Sequence, residues 1–63
     1  MWNGRRLKQL REARGLSQHA LALKIRSCPM TISRLETGAR LPSRDTLRRL
    51  AKALGVPVAT LLE

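Results

Sequence analysis

The chain of 63 residues carries 13 Lys and Arg against 4 Asp and Glu, a net charge of +9 with His19 neutral. That length allows one domain, residues 1–63, and a domain this small buries only about 60% of its unfolded surface, so its core must be used fully. The lone Cys28 excludes an internal disulfide, Cys28 and the distant His19 make no zinc-ligand set, no apolar run is long enough to span a bilayer, and MWNGRR lacks an apolar signal region.

Strand signals are absent, and helix starts and stops are dense. Asn3 is placed to cap a first helix from about Gly4 to Arg14. Trp2 and Leu7 then stand at the two positions of a hydrophobic staple, and Leu10 continues the buried stripe. Gly15 ends the helix in the left-handed conformation that costs glycine least. Ser17 caps a second helix whose inward residues are Leu21, Ala22 and Ile25. Cys28 takes the N-cap of a third helix and Pro29 its first turn, where the missing N–H has no partner to lose. Ile32 and Leu35 face inward, and Gly38 stops that helix. Ser43 caps a fourth, with Asp45 near its positive end and Arg49 four residues on. Leu47, Leu50, Ala51 and Leu54 form its apolar stripe, and Gly55 ends it. Pro57 opens a fifth helix through Leu62, with Val58 and Leu61 as core. The expected fold is all-α, a compact five-helix bundle.

At about 100° per residue the third helix has two opposed faces. Ile32 and Leu35 define the buried one; Pro29, Met30, Ser33 and Arg34 share the other. The second face is short, small and positive, as a surface entering a DNA groove must be; ordinary solvation is the competing reading. The overall charge likewise points to a polyanion, nucleic acid first, with an anionic membrane surface or mere solubility as alternatives. Basic residues run from Arg5 to Lys52 without a basic tail, so the charge belongs to a folded surface.

The segments LKQLREARGLSQ, TISRLETG and LPSRDTLRRLAKALGVP resemble the phage Cro and cI repressor family of XRE-like helix-turn-helix regulators, over Leu7 to Leu62. The resemblance implies a lambda repressor-like domain of five helices, without metal or cofactor, that binds double-stranded operator DNA, usually as a dimer. It implies a phosphate contact for Gln18, in keeping with the free N–H groups of a helix N-terminus. It puts Cys28, Pro29, Met30, Ser33 and Arg34 on base-reading positions. Arg34 can give two hydrogen bonds to guanine O6 and N7, whereas Pro29 and Met30 can read only shape or a thymine methyl. Long polar residues are common at those two positions in the family, and this chain departs from that pattern, which leaves its preferred DNA sequence open. Thr37, Arg40 and Arg44 suit backbone phosphates, which set register. Arg26 stands where the family usually has glycine; a left-handed backbone there would cost a non-glycine residue about 1–2 kcal/mol. Either the turn differs here, or the strain is tolerated because Arg26 reaches a phosphate. The positions of Arg11 and Glu36 form an ion pair between first and third helices in the family, which would neutralise Glu36 beside the DNA.

Cys28 reads as a small N-cap substitute rather than a redox sensor, since no resolving cysteine exists. His19 is expected on an exposed face and Trp2 as a lid on the core. Leu62 and its neighbours near Val56 are candidates for a small two-fold interface. The expected function is a sequence-specific transcriptional regulator, a Cro-type repressor reading a near-palindromic operator, cytoplasmic, and homodimeric at least on DNA. Met1 reads as a natural start. An antitoxin or a restriction–modification controller, with a protein partner, is the alternative. No small-molecule ligand and no membrane is expected as partner. Nor is an enzyme, because no catalytic triad, metal set or glycine-rich phosphate loop after a strand is present. A protein-interaction module that only borrows the fold would bind its partner at high salt. DNA affinity instead falls with a log–log slope of about −0.9 per phosphate contacted.

Overall fold

A computed structural model describes residues 1–63. Four α-helices, α1 (Gly4–Ala13), α2 (Gln18–Lys24), α3 (Pro29–Thr37) and α4 (Arg44–Leu54), are followed by one 3-10 turn, Val58–Leu61. The expected fifth helix is thus corrected to a single 3-10 turn. The Pro57 carbonyl accepts from Thr60 at 3.0 Å and that of Ala59 from Leu62 at 3.1 Å, an i→i+3 pattern. Four residues supply too few i→i+4 bonds to offset helix nucleation. The first helix also closes one residue earlier than expected, with Arg14 as its C-cap.

The caps are local chemistry. Asn3 Oδ1 accepts from the Arg6 N–H at 2.9 Å, Ser17 Oγ from Ala20 at 3.0 Å and Ser43 Oγ from Thr46 at 3.2 Å. Each such cap contributes about 0.5–2 kcal/mol relative to alanine. The Cys28 thiol makes no such bond at the head of α3. Its Sγ lies 3.2 Å from Thr31 Oγ1 instead. The three expected stops, Gly15, Gly38 and Gly55, all have left-handed backbones.

Leu7, Leu21, Ile32, Leu35, Leu50, Leu54 and Leu61 are fully buried, joined by Ala22, Ile25 and Ala51. Full burial of such a large apolar side chain is worth about 1.5–3 kcal/mol. Trp2, Leu10, Leu47 and Val58 cover this core from the side as half-buried residues. α3 packs against both α1 and α2, while α4 and the 3-10 turn pack on each other.

The start of the chain lies close against the end of α3. The Trp2 indole Nε1 donates to the Leu35 carbonyl at 2.8 Å. That carbonyl belongs to the last turn of α3, where no intrahelical donor remains. Beside it, a Cβ added at Gly4 would lie 2.4 Å from the Leu35 carbonyl oxygen and 2.5 Å from that of Glu36. Gly4 therefore permits a backbone-to-backbone approach. The chain ends are tied together as well: Asn3 N–H donates to the Leu61 carbonyl at 2.9 Å, and Arg6 pairs with Glu63 at 3.1 Å. No helix is long and apolar enough to cross a membrane.

Candidate nucleic-acid interface

Ile32 and Leu35 are wholly buried and set the roll of α3 about its own axis. That roll turns Cys28, Pro29, Met30 and Arg34 to solvent, with Ser33 half-buried beside them. Met30 is 60% exposed, a large apolar side chain held away from the core. The opposed faces expected of this helix are the ones observed.

Glu36 lies at the edge of this surface and would repel phosphate if left charged and free. It is instead buried and paired. Arg11 Nε donates to Glu36 Oε2 at 2.6 Å and Arg11 Nη2 to Oε1 at 3.3 Å, a two-pronged contact between α1 and α3. Their side chains are only 10% and 4% exposed. Arg11 Nη1 donates to the Leu16 carbonyl at 2.8 Å, so the guanidinium also pins the loop before α2. The hydrogen bond to Glu36 holds the Arg11 pKa above its ordinary value, against the opposing effect of burial. The pair neutralises the acid next to α3 and fixes that helix to its neighbours.

Gln18 completes this arrangement: its Nε2 donates to Glu36 Oε1 at 3.0 Å. The side chain expected on a phosphate is thus half-buried, with part of its hydrogen-bonding capacity turned inward. It still lines a polar groove with Ser33, Glu36, Thr37 and two residues of α1, Arg5 and Lys8. Sequence reasoning passed over Arg5 and Lys8. Their i,i+3 spacing puts them on one helix face, but only the seating of α1 on α3 brings that face beside Ser33. Thr37 uses its hydroxyl inside α3, donating to the Arg34 carbonyl at 3.2 Å. Arg40 and Arg44 are exposed, in the loop after α3 and at the start of α4.

Arg26 has φ +57°, so the turn is left-handed there and does not take a different form. It lines a cleft with Lys24, Arg49 and Lys52, to which α3 contributes nothing. The structure therefore groups it apart from Ser33 and Arg34. All four carboxylate side chains, Glu12, Glu36, Asp45 and Glu63, are held by Arg6, Arg11 or Arg49. Arg34, Arg40 and Arg44 are in no ion pair, so their charge is available to an outside anion.

The family model described as a helix-turn-helix domain matches residues 3–63. The chain belongs to this helix-turn-helix family. Multiprotein-bridging factor 1 of Candida albicans is 36% identical to this helix-turn-helix chain over 53 residues, covering 84% of it and 35% of the relative. The chain thus spans about a third of that relative's length. Among solved structures, the restriction-modification controller protein C.AhdI from Aeromonas hydrophila is 36% identical with a TM-score of 0.88, covering 92% of this chain and 88% of its own. The P22 c2 repressor, solved with a synthetic operator, has a TM-score of 0.91 at 26% identity, covering 97% and 92%. The Cro and cI resemblance of the sequence and the neighbours of the fold agree.

Proposed function

We propose that this helix-turn-helix domain binds double-stranded DNA in a sequence-specific manner and regulates transcription, as a Cro-type repressor of a near-palindromic operator. One observation carries the reading: α3 turns an unpaired Arg34 outward beside Met30 and Ser33, while the adjacent acid, Glu36, is buried and neutralised by Arg11. In the major groove Arg34 reads guanine through O6 and N7, and Cys28, Pro29 and Met30 read shape or thymine methyl groups. Ser33 is short enough to let α3 approach the base edges. Arg40 and Arg44 on one side, and Gln18, Thr37, Arg5 and Lys8 on the other, meet the phosphates that set register. The P22 c2 repressor, which superposes over nearly the whole chain and is solved on an operator, supports this placement.

A homodimer on DNA fits the dimensions. The Cα extents of 24 × 22 × 19 Å are smaller than the spacing of about 34 Å between half-sites one turn apart, so a domain can occupy each half-site without overlap. Leu62 lies in an apolar groove with Met1, Trp2 and Leu41, which is where two copies would meet. Val56 is half-buried against the core, so Leu41 takes its place in this patch. A restriction–modification controller is the second reading, favoured by the match to C.AhdI over most of both chains.

Selection from a random duplex pool at stated salt tests the reading. Recovered sites should be palindromic, with half-sites one turn apart and guanine at the position read by Arg34. Arg34→Ala should weaken binding by about 1–3 kcal/mol and relax the preference at that position alone. Equal affinity of parent and variant, or recovery of no preferred sequence, refutes it.

A further inference from the structure

The flank of the domain holds a second concentration of positive charge. Lys24 and Arg26, at the end of α2, face Arg49 and Lys52 of α4 across a cleft whose apolar lining is Ile25 and Ala53. Arg49 is fixed in place, donating through Nη1 to the Ile25 carbonyl at 3.3 Å and pairing through Nη2 with Asp45 at 3.0 Å. Asp45 is the sole acid engaged there; Lys24, Arg26 and Lys52 are in no ion pair. Cations gathered around one concavity repel one another, and an incoming anion relieves that repulsion.

Arg26 adds an independent sign. Its φ of +57° is a strained backbone for any residue with a Cβ, and its side chain is exposed and contributes nothing to the core. Strain of this kind persists where the residue serves function rather than stability. Position separates the α4 wall of the cleft from α3. Arg49 and Lys52 lie five and eight residues past Arg44, about 7 and 12 Å farther along the axis of α4. Ala53 adds a half-buried apolar surface among the cations, which suits a peptide carrying both carboxylates and an aliphatic side chain.

We propose that this cleft docks a short acidic peptide segment of a partner protein. Glu or Asp carboxylates meet Lys24, Arg26, Arg49 and Lys52, and an aliphatic side chain rests against Ala53. Docking here requires no DNA on α3, and with DNA bound it would make the domain a bridge between operator and partner.

The test titrates the 63-residue chain with a short synthetic peptide of mixed glutamate and leucine, followed by amide NMR shifts and calorimetry. The largest shifts should fall on Lys24 to Arg26 and Arg49 to Ala53. Lys24→Ala with Lys52→Ala should lower peptide affinity about fivefold, as loss of two exposed charge contacts implies. Arg34→Ala with Arg40→Ala should leave peptide affinity within about twofold, because those charges lie outside the cleft. All four positions are exposed, and unchanged melting of both double variants shows that the fold is intact. Equal losses from the two double variants mean diffuse attraction to a basic protein and overturn the proposal. So does a duplex recovered by selection that loses as much affinity from the Lys24 and Lys52 pair as from the Arg34 and Arg40 pair, since the cleft would then belong to DNA. Failure to select any duplex would sink the DNA reading and leave the peptide result to stand by itself.

Discussion

Gly4→Ala opposes two effects whose magnitudes decide the sign. In an ordinary helix interior alanine is favoured over glycine by about 1 kcal/mol, and propensity by itself makes the change stabilising. At Gly4 the new Cβ would stand 2.4 Å from the Leu35 carbonyl oxygen, 2.5 Å from that of Glu36 and 2.9 Å from the Glu36 carbonyl carbon. These are backbone atoms of α3, so no side chain can swing aside. Reaching ordinary contact distance requires α1 and α3 to separate by about an ångström. Such overpacking costs about 1–3 kcal/mol. The same separation stretches the 2.8 Å bond from Trp2 to the Leu35 carbonyl, worth about 0.5–1.5 kcal/mol. It also loosens the 2.6 Å contact between Arg11 and Glu36. The net expectation is a loss of about 1–3 kcal/mol, large against a total of about 3–9 kcal/mol for a chain of this size. The midpoint of thermal unfolding, followed by circular dichroism, should fall by about 5–20 °C. A variant melting at or above the parent temperature refutes the close approach of α1 to α3 as a constraint.

Other substitutions probe other terms. Arg26→Gly should raise stability by about 0.5–1 kcal/mol in urea unfolding: relief of about 1–2 kcal/mol of left-handed strain outweighs the larger chain entropy that glycine loses on folding. A less stable variant contradicts the strain. Glu36→Ala should cost about 3–5 kcal/mol, because Arg11 is left buried without its partner, and urea unfolding should show the double variant Arg11→Met with Glu36→Leu recovering most of it. A double variant no better than Glu36→Ala would show that shape rather than charge was lost. The hydrogen bond from the Thr31 hydroxyl lowers the Cys28 thiol pKa. The thiolate is the reactive form, so the pH midpoint of iodoacetamide alkylation should lie below that of free cysteine and return upward in Thr31→Val. The thiolate also places negative charge at the head of α3, so affinity for a selected duplex should weaken as pH rises through the same midpoint.

The parts legible in the sequence are those governed by neighbours within about four residues along the chain. Asn3, Ser17 and Ser43 cap the helices whose N–H groups follow them. Leu21, Ile32, Leu35, Leu50 and Leu54 fall on buried stripes because the helical period dictates which residues share a face. The left-handed backbone at Arg26 and the pairing of Arg11 with Glu36 were legible only through family resemblance; nothing in their local spacing demands either. The short last element was misjudged because an apolar pattern after Pro57 does not distinguish an α-helix from one 3-10 turn.

The amino-acid sequence by itself determined an all-helical chain, the starts of its four α-helices, three glycine stops, the buried stripes of its core, and the outward residues of α3. Tertiary structure alone decided which backbones touch and which side chains of separate helices share a groove. Gly4 lies against the carbonyls of Leu35 and Glu36, the Gln18 amide turns to Glu36, Arg5 and Lys8 stand beside Ser33, and Lys24 and Arg26 face Arg49 and Lys52. A helical wheel names a face without naming its neighbour. That neighbour is set by how whole helices seat on one another, through contacts between residues far apart in the chain.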